Sequence, residues 1–169
     1  YPQEMYDNGM AVIIAKTVRV SANMLNPCIK SLNYLNNICA KIEAIDAGVP
    51  EAIMLNVKGN IAECTGENIF MVKDDRVITP GTDSGILVGI TRDVVMGLAR
   101  ELGLTVIEQG VTPDELRGAD ECFLTGTAAE VIAVTKIDEA SVGDGKVGRI
   151  TAKLLTTFRE FTTSDQAEG

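Results

Sequence analysis

The sequence predicts an α/β protein in the α+β sense, a mixed sheet of short strands with covering helices. Three observations predict it. Short β-branched and apolar runs recur along the chain, bounded by turn signals such as Asp74-Asp75 and Asp144-Gly145. Three longer segments space their apolar residues at the helical period. Hydrophobic residues make up 46% of the 169 and charged ones 23%, enough apolar surface for one folded core.

In chain order, Met10–Val20 is rich in β-branched residues and reads as a strand. The polar stretch SANMLNP follows and ends in Pro27, which bars an early helix. From Leu32 the period changes. Leu32, Leu35, Ile38, Cys39, Ile42 and Ile45 share one helical stripe, with Gly48 at the C-cap, so Lys30 stands in the loop just before this helix. Ala52–Asn56 is a buried strand and VKGN a turn. Ile61–Glu63, Asn68–Lys73 and Arg76–Thr79 are strands, the last two joined at Asp74-Asp75. TPGTDSGILVG is a glycine-rich loop feeding a helix over Thr91–Leu102, with Gly103 as its stop.

Leu104–Gln109 is the next strand. Thr112-Pro113-Asp114-Glu115 opens a helix with a capping box and proline at its first position. Glu121–Thr125 and Val131–Asp138 are strands around GTAAE, Asp144-Gly145 signals a hairpin, and Ile150–Phe161 is a closing helix. The strands look antiparallel. The expected organisation is a single domain over 1–162 and a frayed tail over 163–169.

Composition excludes several functions. The chain has 15 Lys+Arg against 24 Asp+Glu, a net charge of −9, which speaks against a nucleic-acid partner. It contains no histidine, which removes Ser-His-Asp triads, Cys-His pairs and histidine-based metal sites together. Cys28, Cys39, Cys64 and Cys122 form no CxxC pair, so no metal site is expected, and their scatter fits reduced thiols in the cytoplasm. No apolar run is long enough to span a membrane, and YPQEMYDNG lacks the features of a signal peptide. Because the chain does not open on Met, it is expected to be a fragment or a processed product.

Four places carry candidate chemistry. Lys30, ahead of a helix N-terminus, faces the positive end of a dipole, which would depress its pKa and favour a nucleophilic amine; elsewhere such a lysine is ordinarily a surface residue. Glu63, at the end of an apolar strand, is either an edge carboxylate or one held against a cationic group such as a pyridinium. Gly85–Arg92 feeds a helix and is a ready anion cradle, with Thr91 alternatively a plain N-cap. Thr125–Glu130 is a small-residue turn that exposes backbone N–H groups, with Thr127 alternatively a structural cap.

These segments carry a resemblance. IKSLNYLNNICAKIEA, EAIMLNVKGNIAECTGENIFMVK, GILVGITRDVV and ADECFLTGTAAEVIAV resemble, in order and spacing, the class IV aminotransferases. That family includes branched-chain and D-amino-acid aminotransferases and aminodeoxychorismate lyases. The resemblance runs from about Asp7 to Phe161. It implies the large C-terminal domain of the D-amino-acid aminotransferase-like fold and pyridoxal 5'-phosphate as cofactor. Lys30 then matches the Schiff-base lysine that also shuttles the substrate proton. Tyr34 matches the partner of the cofactor's phenolic oxygen, and Glu63 the carboxylate that keeps the pyridine nitrogen protonated. Leu87, Ile90, Thr91 and Thr127 match the phosphate site, and Ala128 a backbone donor to the substrate carboxylate.

Within the class, Asn33-Tyr34 and TGTAAEV favour the branched-chain enzymes over the D-amino-acid enzymes and the lyases. The resemblance therefore implies transamination of branched-chain L-amino acids with 2-oxoglutarate, in a homodimer or larger assembly. A non-catalytic remnant domain is the rival from another class. Cys64 replaces a usual glycine and would add an oxidisable thiol near the ring; Val147 and Arg149 stand where prolines are common. Nothing in the chain matches the family's N-terminal domain, so on its own it is expected to bind cofactor weakly and to turn over poorly.

Overall fold

The computed structural model describes residues 1–164 of the chain. A nine-stranded mixed sheet runs in the order β3-β2-β1-β8-β7-β4-β5-β6, with β9 added beside β8. The strands are β1 (Met10–Ile14), β2 (Glu51–Leu55), β3 (Ile61–Cys64), β4 (Asn68–Lys73), β5 (Arg76–Thr79), β6 (Thr105–Glu108), β7 (Glu121–Gly126), β8 (Glu130–Ile137) and β9 (Ala140–Ser141). The helices are α1 (Gln3–Asn8), α2 (Leu35–Asp46), α3 (Ile90–Glu101), α4 (Pro113–Arg117) and α5 (Arg149–Thr163). A single 3-10 turn, Thr82–Ser84, interrupts the glycine-rich loop.

The mixed sheet and its covering helices match the predicted class, but pairing is not uniformly antiparallel. β1 runs parallel to both β2 and β8, and β5 parallel to β6. The cause lies in the connections. α2 lies between β1 and β2, and α3 between β5 and β6, and a helical crossover returns the chain in its original direction.

Local signals fared unevenly. β4 and β5 have their predicted bounds, and Asp74 and Asp75 both adopt positive φ (49° and 57°), as a tight hairpin of that twist requires. The α4 capping box is present, with Glu115 and Thr112 bonded reciprocally. β1, however, stops at Ile14 rather than Val20. Beyond it only isolated N–H groups, those of Ala15 and Arg19, reach the Ile53 and Leu55 carbonyls, each at 2.8 Å. Asp144-Gly145 joins no strands; the hairpin turns at Asp138-Glu139, where Asp138 takes φ 52°. α5 extends past Phe161 to Thr163 with Ser164 as its cap. Residues 165–169, the rest of the expected frayed tail, lie outside the described residues.

Packing divides into three clusters. Phe70 and Phe123 stack at 4.8 Å in the layer between the sheet and helices α3 and α5, with Val95, Ile150 and Leu154 around them. The opposite face holds Ile53, Ile61, Ile69, Leu124 and Ile132. α2 makes the third cluster, and not with its apolar stripe. It meets β1 and β2 through Ala40 and Ala44, small enough to bring the helix close to the strands. Leu35, Ile38, Cys39, Ile42 and Ile45 point outward, and Leu32 is fully exposed just before the helix. Periodicity identified the helix, but the larger side chains are not the ones this domain buries.

A carboxyl pair, Glu51 buried and Glu67 half-buried, braces the start of β2 against the β3–β4 turn. Glu51 Oε1 accepts from the Ala52 N–H (2.7 Å), the Thr65 N–H (3.1 Å) and the Thr65 hydroxyl (2.5 Å), and Oε2 from Lys41 (3.2 Å). Glu67 Oε1 accepts from Tyr1 (3.0 Å), while its buried Oε2 has no other donor among the described residues. Burial, then the neighbouring Glu51, pushes the Glu67 carboxyl up to about 8. Glu51, though also desolvated, is held below the usual carboxylate range by hydrogen bonds from Glu67, Thr65 and Ala52. The opposite shifts favour a proton resting on Glu67 rather than on Glu51.

The folded chain holds that proton where the unfolded chain has lost it. The stabilisation from Glu67 is therefore complete below about pH 4.5 and drains away as pH rises to about 8. Glu67→Gln keeps a donor toward Glu51 but does not titrate. Urea unfolding from pH 5 to pH 9 should show the parent losing stability with rising pH relative to Glu67→Gln. Parallel pH curves for the two proteins would rule out the shared proton.

Candidate active site

A cavity of about 300 Å³ opens where three strand ends and a helix start converge. Its walls are the Cys28–Lys30 loop, the Leu87–Thr91 loop and first turn of α3, the β3–β4 turn at Gly66, and the end of β7 at Thr125, Gly126 and Thr127.

Lys30 lies on the open side. It is exposed, and its Nζ donates to Tyr34 Oη at 3.3 Å and sits 5.7 Å from that ring's centroid. Tyr34 occupies the N-cap of α2, so Lys30 stands five positions before the first helical residue, Leu35. A helix dipole acts within about the first turn. The dipole argument for Lys30 therefore fails, and the neighbouring hydroxyl is the structural feature that engages the amine.

The floor is an anion cradle. Gly89 is the N-cap of α3 and supplies no side chain, so Ile90 and Thr91 are the first two helical residues. The N–H groups of a first turn have no partner within the helix and carry the positive end of its dipole. Thr91 is buried and stands one residue inside the helix, which rules out the plain N-cap alternative. Ile90, by contrast, is 83% exposed at the rim. Thr127 faces the cradle from the β7–β8 turn. Ala128 follows it, exposed, but does not line the cavity. Thr125 Oγ1 lies buried beside them without a hydrogen-bond partner.

Glu63 sits behind the wall. It is 5% exposed on β3, and the two residues that bond its Oε2 both line the cavity: Asn68 through Nδ2 (3.0 Å) and Leu87 through its N–H (2.9 Å). Oε1 accepts from the buried Arg19 at 2.5 Å. Burial pushes the Glu63 carboxyl up to about 7, against the opposing charge of Arg19, the Leu87 N–H, and the charges of Lys30 and Arg92. Cys64, its chain neighbour, alternates to the other face of β3 and lies in the apolar core. Burial pushes that thiol well up. The expectation of an oxidisable thiol beside the site is therefore wrong for Cys64; the exposed cysteine in the cavity wall is Cys28.

The structure thus gathers Lys30, Leu87, Ile90, Thr91 and Thr127 around one cavity, with Tyr34 on Lys30 and Glu63 behind the inner wall. Sequence reasoning missed Arg19, Asn68 and Thr125. Asn68 is the first residue of β4 and ties Glu63 Oε2 to the Leu87 carbonyl (2.9 Å). Its signal was available as a buried amide placed directly after a turn that ends an acidic strand.

Residues 1–137 match the amino-transferase class IV family. This chain belongs to the class IV aminotransferase family. It is 39% identical, over 96% of its length, to a branched-chain-amino-acid aminotransferase of Salmonella typhimurium, of which it covers 53%. The crystal structure of the branched-chain amino acid aminotransferase of Escherichia coli superposes with a TM-score of 0.94 at 36% identity, covering 99% of this chain and 56% of that one. The branched-chain amino acid aminotransferase of Thermobaculum terrenum, solved in its PLP-form, gives a TM-score of 0.90 at 40% identity, covering 95% of this chain and 53% of that one. The chain spans about half the length of the curated relatives it matches.

Two glycines of α3 and its cap separate the demands of this aminotransferase's cradle from those of the helix. A Cβ on Gly89 would lie 2.2 Å from Asn68 Oδ1, whereas one on Gly97 meets nothing within 4 Å. Gly89→Ala should displace Asn68 from Glu63 and destabilise the fold by about 1–3 kcal/mol. Gly97→Ala should stabilise it by about 0.5–1 kcal/mol. Denaturant midpoints measured side by side give the comparison, and equal shifts of one sign would contradict it.

Proposed function

We propose that the protein transaminates branched-chain L-amino acids with 2-oxoglutarate, using pyridoxal phosphate. The observation that carries this reading is the cavity itself, which sets an exposed amine and the N-terminal turn of α3 around one ligand-sized space, with the buried carboxyl of Glu63 bonded to two of its lining residues. The residues present fit the cofactor. The first turn of α3 with Thr91 and Thr127 suits a phosphate, the unpartnered Thr125 hydroxyl offers a further polar contact, and Glu63 suits a protonated ring nitrogen.

When bound, pyridoxal phosphate supplies an electron-accepting ring conjugated to an aldehyde. The chain's own residues then divide the work. Lys30 offers the nucleophilic amine and afterwards carries a proton to and from the substrate α-carbon. Tyr34, within hydrogen-bond reach of Lys30 Nζ, orients that amine and donates to the cofactor's phenolic oxygen. Glu63 would hold the positive charge of the protonated ring nitrogen. Leu87 and Ile90 would shape the phosphate turn, and the N–H of Ala128, exposed just outside the cavity wall, would meet the substrate carboxylate. Amino donor and oxo-acid acceptor bind in turn, as one site requires.

The outward aliphatic stripe of α2 supports a homodimer or larger assembly, because soluble monomers seldom leave such a patch wet. The exposed thiols of Cys28 and Cys39 support a reducing compartment, the cytoplasm. Among the described residues, no helix is long and apolar enough to cross a membrane.

The test is covalent trapping. The chain is incubated with pyridoxal phosphate, reduced with borohydride and mapped by mass spectrometry. The label should fall on Lys30 ahead of every other lysine, and Lys30→Ala should lose both the label and the visible absorbance. Labelling spread evenly over the lysines, or absorbance unchanged in Lys30→Ala, would defeat the reading.

A further inference from the structure

Arg19 has no part in the sequence motifs, yet it is buried and tightly held near the cavity. It is 7% exposed. Its Nη2 donates to Glu63 Oε1 (2.5 Å), Nη1 to Asn37 Oδ1 (2.6 Å) and Nε to the Gly85 carbonyl (3.3 Å). Asn37, itself buried on the inner face of α2, is fixed in turn by its Nδ2 on the Thr65 carbonyl (2.8 Å). Four segments therefore converge on one guanidinium: the irregular stretch after β1, helix α2, strand β3, and the loop that leads into the anion cradle.

We propose that Arg19 is a positioning residue for Glu63, supplying the buried positive charge that keeps Glu63 a carboxylate and fixes which of its lone pairs is left for a ligand nitrogen. The lone-pair argument is one of capacity. A carboxylate has about four acceptor sites, two on each oxygen. Asn68 and Leu87 fill those of Oε2, and Arg19 takes one on Oε1, so the remaining site is on Oε1, beside the guanidinium.

The charge argument concerns where a proton rests. Desolvation favours a neutral Glu63, and Arg19 is the largest influence opposing it, ahead of Lys30 and Arg92. A carboxylate made less basic by Arg19 leaves the proton on the ring nitrogen that it faces. Charges then alternate, guanidinium, carboxylate and protonated nitrogen, and none is buried uncompensated. This role in the reaction rests on the transaminase reading above; the effect on Glu63 itself does not.

The experiment separates the two. In the chain without added cofactor, the side-chain carboxyl of ¹³C-labelled Glu63 is titrated by NMR, with Glu63→Gln identifying the signal. Arg19→Met should raise the Glu63 midpoint by at least about one pH unit, the low end of what an adjacent guanidinium does to a carboxyl. Arg19→Lys should restore much of that shift. If Arg19→Met does not fold, Asn37→Ala, which only loosens the guanidinium, should still move the midpoint upward. A midpoint unmoved in the folded variants overturns the proposal. With pyridoxal phosphate added, the pH at which the lysine-linked absorbance changes should differ between Arg19→Met and the parent, and identical profiles overturn the extension to the reaction. Absence of that absorbance in the parent counts against the transaminase reading alone, since the Glu63 titration is read without cofactor.

Discussion

The burial of Glu63 is the constraint around which this half of the molecule is organised. A carboxylate 5% exposed at the end of a strand is unstable unless its oxygens are met by donors, and here each donor comes from a different element. Asn68 opens β4, Leu87 belongs to the loop before α3, and Arg19 to the stretch beyond β1. Satisfying one charge therefore pins three backbone segments. Two of those segments, at Asn68 and Leu87, also wall the cavity, so the requirement that stabilises Glu63 also shapes the place where a ligand would meet it.

The topology makes such convergence possible. β4 sits between β5 and β7, and the loop leaving β5 runs through the 3-10 turn to the start of α3. The β7–β8 turn reaches the same edge because β7 is antiparallel to β4 in a register that sets Asn68 opposite Thr125. An anion cradle built from a helix N-terminus and a turn is thus assembled from parts far apart in sequence. Buried Arg92, in the first turn of α3, ties it to the Pro80 carbonyl (3.1 Å) and Glu108 (2.6 Å).

What was legible in the sequence follows this division between local and non-local causes. The Asp74-Asp75 hairpin and the Thr112 capping box are decided by neighbouring residues, and both stand as read. The motif residues Lys30, Thr91 and Thr127 were legible because each lies in a loop or helix start whose chemistry differs from its surroundings. The outward face of α2 was not. A row of large aliphatics specifies a helix but not what covers it, and Ala40 and Ala44 won the sheet by allowing closer approach. Arg19 was hidden for a related reason. In TVRVS it reads as the polar position of an alternating strand, whereas the chain leaves the ladder at Ile14 and turns that side chain inward. Parallel pairing of β1 with β2 was inferable from the helix between them and was overridden by the abundance of hairpin signals elsewhere.

Glu63 and Lys30 differ in how tightly they are held. Glu63 is gripped by three donors on a buried strand and has no room to change rotamer. Donors fixed on three segments leave the carboxyl one orientation, so the field it provides does not relax by turning. Lys30 makes one side-chain hydrogen bond, at the long distance of 3.3 Å, from an exposed position in a loop without regular structure. In the proposed transamination, an amine that attacks a carbon and later carries a proton would occupy several positions in turn, and packing that fixed one of them would oppose the others. The loop between Pro27 and α2 permits that travel, while Tyr34 at the helix cap keeps its limit within reach of the cavity. Order on β3 and latitude before α2 are thus the two sides of what the proposed reaction would ask, a held carboxyl and a mobile proton carrier near one cavity.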